Sequence, residues 1–502
     1  MLASSLWQLL TFEALFNAAW ATLLGIVVGA LPGLTATLGV ALLTTLTYSL
    51  APQQAILILI AMYVGAIYGG SRSAILLNIP GTPASAATTL DGYPLALAGQ
   101  AGHAMGVATT SSALGTLVGI LCLAIFAPLL GEFALKFGSY EFFWLAVFGV
   151  VISGQLCSMD DPLKGYVAGI LGLLVAMVGM EGIHAYNRFT FGIHELGGGF
   201  GLIPALVGAF GFAELLTVMK NERARMVGAT VDRVLPRLSE IWRYRWTSIR
   251  SGIIGTFVGV IPGVGEDIGA WASYAAARRA SKERDRFGKG SIEGLTAAET
   301  GNSAVVPGAL IPALTLAVPG SAPAAVLIAA LFIHGVRPGP MIMIEQPAFI
   351  YDIVAMLLLA TVGITVFGLC LTRPLLLVLR VPRERLVPVI YVLCVIGPYA
   401  ITQRMFDIWV MLGFGVAGFL LREMRYPMAP LVLGIILGDL LDKNLRRGLT
   451  LSDGSLEPFF TRPISLIFCV VTVTTILLSV PAVRAGVTRL LRRAPRALPD
   501  TR

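Results

Sequence analysis

Gly25–Gly39 reads GIVVGALPGLTATLG, and Gly255–Gly269 reads GTFVGVIPGVGEDIG. Gly25, Gly29, Pro32, Gly33 and Gly39 match Gly255, Gly259, Pro262, Gly263 and Gly269 at one constant spacing. A second pair follows in the same order. Gly69–Thr82 reads GGSRSAILLNIPGT and Gly308–Ser321 reads GALIPALTLAVPGS, so that Gly69, Pro80 and Gly81 match Gly308, Pro319 and Gly320. Two motif pairs in one order predict duplicated halves. A Pro-Gly step inside an apolar run interrupts a helix, and in a membrane that is tolerated only where protein or a water-filled cavity satisfies the freed backbone. Such steps predict discontinuous or re-entrant helices, and transporters place their sites at breaks of this kind. The GxxxG spacing of Gly25/Gly29 and Gly255/Gly259 also permits close helix packing, which alone would explain those glycines.

The rest of the chain agrees with a membrane setting. Of 502 residues, 56% are hydrophobic and 13% charged, and the mean hydropathy is +0.82. A soluble protein of this length needs more charge on its surface. Apolar runs long enough to enter a hydrocarbon core recur near 104–130, 140–157, 163–180, 201–219, 353–372, 386–402, 405–421, 429–441 and 464–481. No Lys or Arg precedes Arg72, so the basic region of a cleaved signal peptide is missing and insertion is expected through the spans themselves. The fold class expected is an all-α integral membrane protein: a polytopic helical bundle with inverted repeats and discontinuous helices.

The net charge of +8 lies in the loops and the C-terminal tail, which is the positive-inside pattern and no sign of nucleic-acid binding. The charge also suggests how the halves are related. The first Pro-Gly segment has no basic flank. The second has Arg243, Arg245 and Arg250 before it and Arg278, Arg279, Lys282, Arg284 and Arg286 after it. Both flanks of the second copy are then cytoplasmic, and the copy dips in and returns. The first copy does the same from outside. If both copies span instead, the Arg278 loop violates the charge rule. This reading gives a first membrane repeat at 1–220, a basic cytoplasmic linker at 221–250, a second membrane repeat at 251–483 and a basic cytoplasmic tail at 484–502. The Arg373–Arg385 loop is expected on the cytoplasmic side too.

Four segments combine polar groups with helix breakers inside apolar sequence. They are Pro32, Gly33, Thr35 and Thr37; Ser71, Arg72, Ser73, Asn78, Pro80, Gly81, Thr82 and Ser85; Pro262, Gly263, Gly265, Glu266 and Asp267; and Asn302, Ser303, Pro319, Gly320 and Ser321. Helix N-termini after a break, with hydroxyls and amides, suit an anionic substrate. Unwound carbonyls, hydroxyls and Asn oxygens suit a coupling cation. The substrate candidates are Ser71, Arg72, Ser73, Asn78, Pro80, Gly81, Thr82, Pro319, Gly320 and Ser321. The cation candidates are Pro32, Gly33, Thr35, Pro262, Gly263, Glu266, Asp267, Asn302 and Ser303. Arg72 can grip a carboxylate with paired hydrogen bonds, or snorkel, or pair with Asp91. Glu266 and Asp267 can bind a cation or pair with Arg278 or Arg279. Glu299 reads equally as a site residue and as an interfacial helix cap.

No HExxH, GxSxG or Walker A sequence occurs, so no catalytic constellation is expected and the driving energy comes from an ion gradient or a partner ATPase. Cys122, Cys157, Cys370, Cys394 and Cys469 form no CxxC pair, and His103, His184, His194 and His334 show no metal-ligand spacing. No metal site or disulfide is expected.

At these motifs the chain resembles the large membrane subunit of the tripartite tricarboxylate transporters, the TctA family. The resemblance runs over nearly the whole chain. It rests on GIVVGALPG (25–33), YGGSRSAILLNIPGTPASAATTLDGYPLA (68–96), FTFGIHEL (189–196), GVIPGVGEDIGAWASY (259–274), RFGKGSIEG (286–294), ALIPALTLAVPGSAPAAVLIAALFIHGVRPGP (309–340) and FDIWVMLGFGVAG (406–418). It implies a multi-pass permease of the bacterial inner membrane. Such a permease works with a small four-helix membrane subunit and a periplasmic solute-binding protein, and it imports carboxylates, including tricarboxylates such as citrate, dicarboxylates and aromatic acids, by symport with sodium or protons. The family's polar Pro-Gly motifs fall on Ser71, Asn78, Pro80, Gly81, Pro262, Gly263, Pro319 and Gly320. The chain departs from the family pattern at Arg72, often a small hydroxylated residue, at the PGVGED stretch from Pro262, often PGAGA-like, and at ETGNSA from Glu299, commonly EAANNA. These departures touch the candidate site. Two rival classes are a passive anion channel, which would conduct without a binding protein or ion dependence, and an intramembrane enzyme, for which a convincing cluster of acids or histidines is lacking.

Overall fold

A computed structural model describes residues 2–31, 34–157, 161–183, 185–220, 233–372, 374, 383–479 and 483. It is an all-α bundle with a single two-residue antiparallel pair among the described residues, Gly179–Met180 with Asn187–Arg188. The helices in order are α1 (Leu2–Gln8), α2 (Phe12–Ala30), α3 (Ala36–Leu46), α4 (Pro52–Leu77), α5 (Thr89–Leu97), α6 (Ala101–Ala134), α7 (Ser139–Leu156), α8 (Pro162–Ala176), α9 (Leu202–Leu206), α10 (Ala213–Lys220), α11 (Leu238–Arg243) and α12 (Arg245–Val260). They continue as α13 (Gly265–Ala280), α14 (Ile292–Leu316), α15 (Ala322–Ile333), α16 (Ile342–Glu345), α17 (Phe349–Cys370), α18 (Arg383–Thr402), α19 (Met405–Glu423), α20 (Met428–Leu451), α21 (Glu457–Thr461) and α22 (Pro463–Ser479). Six of them, α2, α4, α6, α7, α17 and α19, are long and apolar enough to cross a membrane. Exposed Leu117, Leu121, Ile125 and Leu129 on α6 and Ile467, Val470 and Val473 on α22 give these helices apolar outer faces suited to lipid. The predicted run 104–130 is one 34-residue helix, and the run near 201–219 is interrupted by a π-helical segment, Val207–Phe212.

The breaks fall where the Pro-Gly steps predict them. α4 starts on Pro52 and ends on Asn78, whose φ of 55° and ψ of 27° turn the chain out of the helix. α14 is capped by Ser291, whose hydroxyl accepts from the Gly294 N–H, and it ends on Ala317 at φ 56° and ψ 27°. Ser321 then caps α15 and Thr35 caps α3. These hydroxyls satisfy N–H groups that a helix start leaves open.

The two motif pairs pack in one common register. α2 crosses α4 where Gly25 and Gly29 lie on the carbonyls of Met62 and Ala66, and Gly69 lies on that of Ile26. α12 crosses α14 where Gly255 and Gly259 lie on the carbonyls of Gly301 and Val305, and Gly308 lies on that of Thr256. Each residue of the first set matches its counterpart at the spacing that aligns the motifs. A Cβ at Gly259 would stand 2.6 Å from the Val305 oxygen, and at the other five positions it would come closer, so backbone meets backbone. Gly81 against Gly29 repeats as Gly320 against Gly259. Close packing accounts for these glycines, and the common register accounts for their repetition.

α4 and α14 are the central helices. Every residue from Ala55 to Leu76, and from Gly294 to Leu316, is buried. α6 lies along α14, and α17 packs on α4 and α6. On the other side α7, α8, α20 and α22 pack around Val318, Leu433 and Leu437. The predicted basic segments 221–232, 373, 375–382 and 484–502 lie outside the described residues, apart from isolated positions, as do Pro32, Gly33 and His184.

Candidate functional site

The two central breaks and the two glycine hairpins surround one cavity of about 510 Å³. Four helix starts rim it. Thr35 and Ala36 open α3, Pro83 opens the one-turn helix Pro83–Ser85, Glu266 lies in the first turn of α13, and Ala322 opens α15. The three α-helix starts, two of them capped by Thr35 and Ser321, bring positive dipole ends to the rim, which suits negative charge. The Pro-Gly steps explain why the starts converge: each ends one helix at the cavity and lets the next begin there.

The freed backbone is satisfied internally. Gly263 and Gly265 donate their N–H groups to the carbonyls of Pro319 and Gly320, at 3.3 and 3.2 Å, and Gly81 donates to Gly70. The Gly263 carbonyl accepts from the Cys157 thiol. The Pro319 and Gly320 carbonyls therefore hold the neighbouring break in place.

A polar bridge joins the halves beside the cavity. Tyr63, buried in α4, donates its hydroxyl to Glu266 at 2.6 Å and lies 2.7 Å from the Ser321 hydroxyl. Across the cavity Arg422 of α19 pairs with Glu214 of α10. Among the described lining residues Arg422 is the basic one. Sequence reasoning does not single out Tyr63, Glu214 or Arg422. Arg422 reads as a charge at a span end, Glu214 as an interfacial acid, and Tyr63 as part of the most apolar helix. The π-helical segment just before Glu214 marks the place structurally, since such bulges cluster at functional sites.

The predicted residues separate into groups. Pro80, Gly81, Thr82, Thr35, Thr37 and Glu266 line the cavity, and Ser321 stands at its wall through Tyr63. Pro262, Gly263, Pro319 and Gly320 form the interlocked breaks. Pro32 and Gly33 lie outside the described residues, as does the side chain of Asp267. Arg278 and Arg279 sit in the last turn of α13, three turns from Glu266, so that pairing is out of reach. Arg72 is buried and is not among the cavity's lining residues. Its Nη2 donates to the Tyr68 hydroxyl at 2.6 Å and to the Gly368 carbonyl at 3.3 Å, and the guanidinium lies over the Tyr68 ring. Snorkelling does not describe it, and Asp91 is engaged elsewhere, by the N–H groups of Gly288, Gly290 and Ser291 and the Tyr274 hydroxyl. Ser73 bonds its own helix at Gly70, and Asn78 is an exposed helix terminator. Asn302 is fully buried, and among the described residues neither its amide nor the hydroxyls of Thr82 and Ser303 have a partner.

Glu299 is no interfacial cap, because Ser291 caps α14 two turns earlier. It is fully buried and accepts from Ser71 at 2.7 Å, Ser112 at 2.9 Å, and Thr88. Among the described residues no group of three His, Cys, Asp or Glu is placed to hold a metal ion.

Comparison with known proteins agrees with this architecture. The model of the tripartite tricarboxylate transporter TctA family matches residues 15–433. The chain is 36% identical over 480 residues to an uncharacterized 52.8 kDa protein in the TAR-I ttuC' 3' region of Agrobacterium vitis, covering 93% of this chain and 94% of the relative. It is 34% identical over 211 residues to an uncharacterized protein in the TAR-II ttuC' 3' region of the same organism, covering 42% of this chain and 87% of that relative. No solved structure matches it. With its apolar spans and a family match across most of its length, this multi-pass membrane protein belongs to the tripartite tricarboxylate transporter TctA family.

Proposed function

We propose that the chain is the permease of a binding-protein-dependent secondary transporter that imports carboxylates by cation symport across the bacterial inner membrane. The observation that carries this reading is the convergence of three α-helix N-termini on one cavity between the repeated breaks. A carboxylate placed there meets N–H groups, the Thr35, Thr37 and Thr82 hydroxyls, and Arg422, whose planar fork suits a carboxylate. Arg422 exchanges Glu214 for the substrate as the anion enters.

Coupling follows from Glu266. The substrate enters beside this carboxylate, and two negative charges close together in a weakly screened site repel strongly. A sodium ion or proton taken up at Glu266 relieves that repulsion, so anion and cation are favoured together. The paired breaks then act as two gates related by inverted topology, with the α12–α13 hairpin entering and leaving on the cytoplasmic side. A small four-helix membrane subunit and a periplasmic solute-binding protein complete the assembly, the latter delivering substrate to the outer gate.

The test is uptake of labelled di- and tricarboxylates into proteoliposomes holding this chain, the small subunit and the binding protein, with and without an inward sodium or proton gradient. Uptake that needs the binding protein and one gradient supports symport. Uptake that needs neither makes the chain a passive channel. Topology has its own test: a cysteine at position 278 that labels only from outside would overturn the re-entrant hairpin.

A further inference from the structure

Glu299 lies apart from the cavity's lining, where the two halves meet, and the proposal about it rests on the symport reading. It sits on α14, one of the two central helices, and has no exposed surface. Its three partners come from three other places: Ser71 on α4, Thr88 just before α5 and Ser112 on α6. All three are buried, and each offers a hydroxyl rather than a positive charge. None of the ionisable groups on the helices packed around it bonds to it. Arg72 on α4 turns its Nη2 to Tyr68 and Gly368, while its Nε and Nη1 have no partner among the described residues. Asp91 on α5 and Tyr274 on α13 bond each other. His103 on α6 bonds Glu240, and Glu293 on α14 bonds Thr247 and Ser281. Arg250 on α12 has a buried Nε without a partner among the described residues.

A buried carboxylate without a cationic partner is costly in a membrane, and where one persists it marks an ion pathway. A purely structural acid is expected to be paired. A second observation points to a ligand. One turn along the same helix face, Asn302 is fully buried with both amide atoms unpartnered among the described residues, and Ser303 beside it has an unpartnered hydroxyl. Carboxylate, hydroxyl and amide oxygens form a hard donor set suited to a hard cation. The single negative charge matches a monovalent one.

We propose that Glu299, with Ser71, Thr88, Ser112 and Asn302, forms a second cation site that takes up one monovalent cation, as a proton on the carboxylate or a sodium ion among its oxygens. The site joins α4 and the turn before α5 in one half to α14 in the other. Loading it fastens the halves together, and emptying it leaves a buried charge that favours their separation.

The experiment uses the full chain purified in detergent, without substrate. Thermal stability is followed against sodium at constant ionic strength, with choline as the replacement cation. The infrared carbonyl band of protonated carboxyl groups is followed against pH. In the sodium case, stability rises with the logarithm of sodium concentration, Glu299→Gln lowers the slope of that rise, and Ser112→Ala weakens sodium binding about tenfold. In the proton case, sodium has no effect, and a carbonyl band that titrates in the wild type is missing in Glu299→Gln. Glu457→Gln, an exposed acid at the start of α21, keeps the response in either case. If Glu299→Gln does not fold, Ser112→Ala and Asn302→Ala must still weaken sodium binding or shift the midpoint of the carbonyl titration. Responses lost in Glu266→Gln but unchanged in the Glu299-site variants would overturn the proposal, and so would the absence of any sodium or carbonyl response in the wild type. Because binding is read without transport, these outcomes are separate from a failure of coupled uptake in proteoliposomes.

Discussion

At the break after α4 the chain turns through Asn78, and at the break after α14 it turns through Ala317, with backbone angles equal to within 1°. The side chains nearby are not equal. Tyr63 of the first half bridges to Glu266 and Ser321 of the second. The position that answers Tyr63 at the motif spacing is Asn302, and those that answer Glu266 and Ser321 are Ala36 and Thr82. There the bridge is absent, and among the described residues Asn302 and Thr82 are unpartnered. The backbone crossings match, while the polar chemistry differs. A symmetric scaffold thus carries one braced side and one side with open polar groups.

The largest effect is expected where the halves are most alike. Gly29→Val and Gly259→Val each drive a side chain into a facing carbonyl and should cost more than about 4 kcal/mol, read as loss of monodisperse protein in size-exclusion chromatography. If one half tolerates valine, its crossing is not backbone-tight and the likeness fails there. Next is the cavity. Arg422→Ala should weaken carboxylate binding about a hundredfold, with Arg422→Lys only partly restoring it, measured by calorimetry on folded protein. An unchanged affinity would remove Arg422 from the anion site.

The bridge comes third. Tyr63→Phe should destabilise by about 1–3 kcal/mol because buried partners lose their hydrogen bond, whereas Asn302→Leu should cost less, because no bond to the described residues is lost. Equal losses in thermal unfolding would show that the two sides are braced alike. Fourth, Ala317→Gly should stabilise by about 1 kcal/mol, since a left-handed alanine is strained, while Asn78→Ala should cost a similar amount.

The smallest effect is in the linker, outside the repeats. Burial raises the Glu240 carboxyl pKa, but the hydrogen bond from His103 and the Arg237 backbone N–H outweigh it, so the carboxyl lies below the usual carboxylate range. A lowered folded-state pKa adds stability that is full above the unfolded value and is lost as pH falls through the folded one. The contact between α11 and α6 should therefore weaken only in acid, by less than about 1 kcal/mol, as read from protease access to the linker between pH 6 and pH 3.

The parts legible in sequence are those where only one residue type works. Gly25, Gly29, Gly255 and Gly259 must lack a Cβ at the crossings, so their spacing alone marks the two matching crossings. Pro80 and Pro319 mark the breaks for the same reason. The polar partners are harder to see, because Tyr63 and Glu266 are 203 positions apart and Arg422 and Glu214 are 208. Such pairs depend on helical phase across halves, which a linear reading lacks. Ser71 and Arg72 show the limit well. They are adjacent in sequence, yet one meets Glu299 of α14 and the other meets Gly368 of α17.

The near-complete enclosure of α4 constrains the order of biogenesis. This helix leaves the ribosome early, but the residues that receive Ser71 and Arg72 are made 228 and 296 positions later. Until then Ser71 lacks its partner on α14, and Arg72 has only Tyr68, one turn back on its own helix, to meet it. The helix therefore has to wait, beside the insertion machinery or at the membrane border, and can settle between α14 and α17 only as a late event. A ribosome stalled before residue 368 should leave α4 open to labelling from water, although in the finished protein it is among the least accessible segments.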